Sequence, residues 1–99
     1  MAGFSVHPED NIDKAFLAFC IEIVLLRMGM PQYEKVVSKL EKDYNTYIPE
    51  CDKNPQALKQ VLQDTFGDSY DDILNEIKVE FGDVGSKKYY TDFILAMTK

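Results

Sequence analysis

The residues best placed to do chemistry lie in one short stretch. Positions 66–72 read FGDSYDD, and Glu76 and Glu80 follow within three helical turns. Acids at this density invite comparison with a calcium loop. Such a loop needs oxygen ligands at its third position, glycine at its sixth and glutamate at its twelfth. Counted from Asp64 those places hold Phe66, Ser69 and Asn75, and counted from Asp68 the third and sixth hold Tyr70 and Ile73. Both registers fail. Two short helices meeting at Gly67 also match the outline of a helix–turn–helix, but the second would present Asp71, Asp72, Glu76 and Glu80 to a duplex with only Lys78 in opposition. Base edges and phosphates are read by Arg, Lys, Asn and Gln, so no specific nucleic-acid binding is expected. Asp68, Asp71, Asp72, Glu76 and Glu80 form instead a candidate acidic surface for a basic protein partner. The plainer role of the same residues is a turn between packed helices, with acids at a helix start where free amide N–H groups favour negative charge.

Other catalytic sets are hard to assemble. His7 is the only histidine, and Cys20 and Cys51 are too far apart in sequence for a CxxC motif. A two-histidine metal site and the simplest zinc and redox motifs are thereby ruled out. Gly82 and Gly85 lack the lysine and hydroxyl of a phosphate loop. No catalytic residue, metal ligand or cofactor is expected. Tyr44, Tyr47, Tyr89 and Tyr90 fall near helix ends, where rings pack and hydroxyls reach water. A pocket lined by them, with His7 and an acid, is the alternative that would admit a small molecule or an enzymatic activity.

These residues need a scaffold, and 99 residues supply one domain. Hydrophobic residues make up 45%, enough for a modest core, and the net charge is −6. That charge is concentrated: residues 64–83 hold seven acids and one base. Such a surface repels nucleic acid and anionic lipid. The apolar run 15–30 is interrupted by Glu22 and Arg27, so no membrane span is expected. With no basic leader sequence and no disulfide pattern, a cytoplasmic protein with reduced thiols is the expectation.

The spacing predicts an all-α fold, four to five helices in compact orthogonal or bundle-like packing. Residues 1–9 are expected to be a flexible leader and residues 10–99 a single helical domain. A first helix starting at Asp10 or Asn11 runs to Gly29, a second runs to a stop at Pro49, and a third starts at the Asn54–Pro55 cap. A fourth is capped by Ser69 or Asp68 and ends at Gly82. The tail SKKYYTDFILAMTK reads as a fifth helix capped by Ser86, with an edge strand as its competitor.

MGMPQYEKVVSKLEKDYN and NPQALKQVLQDTFGDSYDDILNEI, covering about residues 28–77, together resemble a small all-helical domain of unknown function found in ammonia-oxidising archaea. The resemblance rests on the Gly29–Pro31 joint, the Asn54–Pro55 cap and the Phe66–Gly67 pair. It implies helices and brings no catalytic residue, cofactor or substrate. Some members look like modules attached to regulatory proteins, which keeps a regulatory reading as an alternative, a transcription-associated domain of the helix–turn–helix outline at Gly67.

The first helix carries more apolar surface than one buried stripe needs. Phe16, Phe19, Ile23 and Leu26 mark a strong face, while Leu17, Ile21, Leu25 and Met28 crowd other sides. Either this helix is central, or part of it meets another chain. The expectation is a protein-interaction or homodimerisation module, with Phe16, Phe19, Ile23 and Leu26 as candidate interface.

Overall fold

The computed structural model describes residues 8–98, with side chains from residue 12 onward. Five α-helices follow in order: α1 (Pro8–Met28), α2 (Met30–Tyr44), α3 (Pro55–Phe66), α4 (Tyr70–Phe81) and α5 (Lys88–Thr98). Short 3₁₀ turns occupy Ile48–Glu50, Gly67–Ser69 and Gly82–Ser86, and there is no strand among the described residues. The tail is therefore helix. The leader expected over residues 1–9 lies largely outside the described residues, and its last two belong to α1. Proline is tolerated at a helix's first position because its missing N–H would have no partner there, which lets the helix begin at Pro8 rather than at Asp10 or Asn11.

The α1–α2 corner is made by one residue. Gly29 has φ 119° and ψ 150°, a conformation closed to L side chains, so the chain turns between Met28 and Met30 without a loop. Helix α2 ends earlier than predicted. Asn45 adopts the left-handed conformation, φ 51° and ψ 45°, and its N–H bonds back to the Glu41 carbonyl. Asparagine tolerates that conformation, so the helix closes four residues before Pro49. Proline instead shapes the turn Ile48–Glu50. The α3 start follows the predicted cap: the Asn54 side chain accepts from the Ala57 N–H at 3.4 Å, with Pro55 first in the helix. Ser69 makes no side-chain cap at α4, because the 3₁₀ turn leads directly into that helix.

One core joins all five helices. Leu17, Ile21, Val24 and Leu25 from α1 meet Val36 and Leu40 from α2, and Leu58, Val61 and Leu62 from α3. Ile73, Ile77 and Phe81 of α4 and Tyr90, Phe93 and Met97 of α5 complete it. Helix α1 packs against α2, α4 and the Ile48–Glu50 turn, while α3 packs against α2 and α5. Each fully buried aliphatic side chain contributes about 1.5–3 kcal/mol relative to exposure, so this core is the main source of stability.

Candidate functional site

Helix α1 is two-faced, and both faces are apolar. Its inner face holds Leu17, Cys20, Ile21, Val24 and Leu25, each 2% exposed or less. Its outer face leaves Ile12 66%, Phe19 54% and Leu26 44% exposed. These three are separated by seven residues, two turns of helix, and so stand in line. Ala15 is exposed beside them and Ile23, partly buried, borders them, which completes a stripe along the outside.

Of the four residues expected to form an interface, Phe19, Ile23 and Leu26 belong to this stripe. Phe16 does not. It is half-buried against the core, and its ring meets that of Tyr90 edge-on at 6.2 Å between centroids and 84° between planes. The reason is angular: Phe16 lies on the side of α1 that turns toward α5. The set is therefore Ile12, Ala15, Phe19, Ile23 and Leu26. The seven-residue spacing of Ile12, Phe19 and Leu26 carried the signal, whereas the three- and four-residue spacing that joins Phe16 to Phe19 and Ile23 is equally helical and does not separate the two sides.

The candidate acidic surface is divided. Asp68, Asp71 and Asp72 are exposed at the α3–α4 turn. Glu76 and Glu80 are held from within the molecule by Arg27 at the end of α1, which donates to Glu76 at 3.4 Å and also to Glu80. Those two carboxylates are thus paired within the chain, through contacts that remain open to solvent.

The tyrosines do not converge on a pocket. Tyr70 and Tyr90 are core residues, the former donating to the Met97 carbonyl and the latter to Asp13. Tyr44 and Tyr47 are exposed, because the early end of α2 removes Tyr47 from any helical face. Tyr89 lines a small cleft of about 200 Å³ with Asp52, Pro55 and Phe93, and donates to Asp52 at 3.3 Å. His7 lies outside the described residues. Among the described residues no group of His, Cys, Asp and Glu is placed to hold a metal ion, and no helix is long and apolar enough to cross a membrane.

Cys51, although flanked by the polar residues Glu50, Asp52 and Lys53, is fully buried, with its thiol 3.5 Å from the Tyr47 carbonyl. Burial pushes its thiol up to about 12, with Asp52 and Glu50 adding to the effect. Burial likewise raises Cys20 to about 11, assisted by Glu80. A nucleophilic thiol needs the opposite, a lowered value and access, so both act as small apolar residues.

The chain matches no protein-family model, no curated protein and no solved structure.

Proposed function

We propose that this chain is a protein-interaction module that self-associates through the outer face of α1. One observation carries the reading: Phe19 is half-exposed at the middle of an apolar stripe, with Ile12 and Leu26 two turns away on either side. Single exposed apolar residues are common on protein surfaces, whereas the contiguous apolar patch of a small monomer is often functional. A large side chain presents about 150–250 Å², so the stripe offers on the order of 300 Å² per chain. Burying it on two chains gives a gross hydrophobic term of about 15 kcal/mol at ~25 cal/mol per Å². Lost rigid-body freedom offsets roughly 4–15 kcal/mol of that. The balance lies between about 0 and 11 kcal/mol, and a buried total of about 600 Å² belongs with weak, transient contacts and not with permanent ones.

Other surfaces support the alternatives less well. The outward residues of α4 include Asp71, Asp72 and Glu76, which would oppose a phosphate backbone. A cytoplasmic setting with both thiols reduced is part of the reading. Sedimentation equilibrium over micromolar concentrations tests it. A weight-average mass that rises from monomer toward dimer is expected, and a constant monomer mass up to hundreds of micromolar would remove the proposal.

A further inference from the structure

We infer that the two copies of α1 pair antiparallel, with the two-fold axis at Phe19, so that Ala15 of one chain shares a packing layer with the partner's Ile23. This rests on the self-association proposed above. The stripe is symmetric in sequence about its centre: Ala15 and Ile23 lie four residues to either side of Phe19, and Ile12 and Leu26 lie seven. An antiparallel pair therefore matches every member. Ile12 meets the partner's Leu26, Phe19 meets the partner's Phe19, and the small Ala15 meets the larger partner's Ile23.

A parallel pair places each residue beside its own copy. Ala15 would then share a layer with the partner's Ala15, leaving a gap between fuller layers. Interfaces, like interiors, are close-packed, and small residues opposite large ones keep layer volume even. Charge gives a second argument. In a parallel pair Glu22 would come beside the partner's Arg27, five residues further on, which is the usual flanking ion pair that sets orientation. Arg27 is already engaged by Glu76 and Glu80 of its own chain, so that attraction is not open to a partner. In the antiparallel pair the two copies of Glu22 stand about 9 Å apart along the axis at 1.5 Å per residue, beyond the physiological screening length of about 8 Å. Opposed helix dipoles favour the same arrangement.

Engineered disulfides distinguish the two geometries. Antiparallel pairing separates the two copies of position 15 by about 12 Å along the axis, too far for a disulfide, whose Cα atoms lie about 4.4–6.8 Å apart. The variants Ala15→Cys and Ile23→Cys are oxidised with oxidised glutathione, alone and as an equimolar mixture, at a concentration where the wild type is dimeric. Cys20 and Cys51 are buried and do not compete. Phe19→Cys, on the axis, is the proximity control in either orientation, run at higher concentration because it removes the central ring. The expected result is a mixed 15–23 disulfide in several-fold excess over both homodisulfides, read by intact mass. Efficient 15–15 cross-linking, or mixed and homodisulfides in statistical proportion, overturns the antiparallel pairing and leaves self-association standing. No cross-link in any variant, Phe19→Cys included, together with a monomer mass for the wild type, removes both.

Discussion

Tyr90 on α5 donates its hydroxyl to the Asp13 carboxylate of α1 at 3.0 Å, and Lys87 reaches the same carboxylate at 3.3 Å. The two ends of the described chain are thus joined by a polar contact at the edge of the core. Asp13 is 9% exposed and Tyr90 1%. Removing one partner strands the other, at a cost of about 1–3 kcal/mol, whereas removing both is cheaper. In urea unfolding, Asp13→Ala should destabilise by that amount and Tyr90→Phe by about 1 kcal/mol. The double variant should cost less than the sum of the two. Strict additivity would show that the contact contributes nothing to the fold.

The thiols provide a reactivity test. Cys20 and Cys51 have 1% and 0% exposure, and burial raises both pKa values. A thiol-reactive dye at pH 8 should label the native protein at the rate of unfolding and label both thiols at once in denaturant. Fast labelling of one thiol in the native state would place that cysteine in an accessible site.

High pH should unfold the protein. The ordinary thiol value is 9.0, and the fold raises Cys20 to about 11 and Cys51 to about 12. Tyr70 is raised from 10.0 to about 12, first by burial and then by Asp71. Tyr89 and Tyr90 are also raised, chiefly by burial, with Asp52 and Asp13 respectively adding to it. Each group is more easily deprotonated in the unfolded chain, so the unfolded state binds fewer protons once pH passes 9. Stability is fully present below that pH and falls as pH climbs toward 12. Unfolding midpoints measured at pH 8, 9, 10 and 11 should decline in order. A flat profile would mean that these groups are not neutral and buried as placed.

Much of the fold was readable from local chemistry. Tyr70, Ile73, Leu74, Ile77 and Phe81 recur at helical spacing in the sequence, and all five are buried on α4. Asn54 and Pro55 mark their helix start because a cap is a matter of adjacent residues. What failed depended on neighbours distant in sequence. Phe16 turns inward because Tyr90 is there to receive it, and Cys51 is buried because the linker folds against α1 through Lys14 and Glu50 at 3.1 Å. Arg27 and Glu80 are 53 residues apart, and no local pattern connects them. Helix α1 posed the hardest case: with apolar residues on nearly every side, periodicity could not say which face looks inward.

The corner at Gly29 fixes where that helix ends. A Cβ there would come within 3.0 Å of the Gln32 side-chain oxygen, on a backbone with φ 119°. Gly29→Ala should cost about 1–3 kcal/mol, the usual range for a side chain forced into such a conformation. Thermal or urea unfolding measures it. An unchanged midpoint would mean that the corner relaxes freely.

Paired charge substitutions test the central claim most directly. Phe19 and Val79 are both exposed apolar residues, on α1 and α4, at 54% and 73%. Neither belongs to the core, so Phe19→Glu and Val79→Glu should both keep the helical circular dichroism spectrum of the wild type. In sedimentation equilibrium, Phe19→Glu should hold a monomer mass at concentrations where the wild type and Val79→Glu are dimeric. A dimer that survives Phe19→Glu, or one lost equally with Val79→Glu, would contradict association through the outer face of α1.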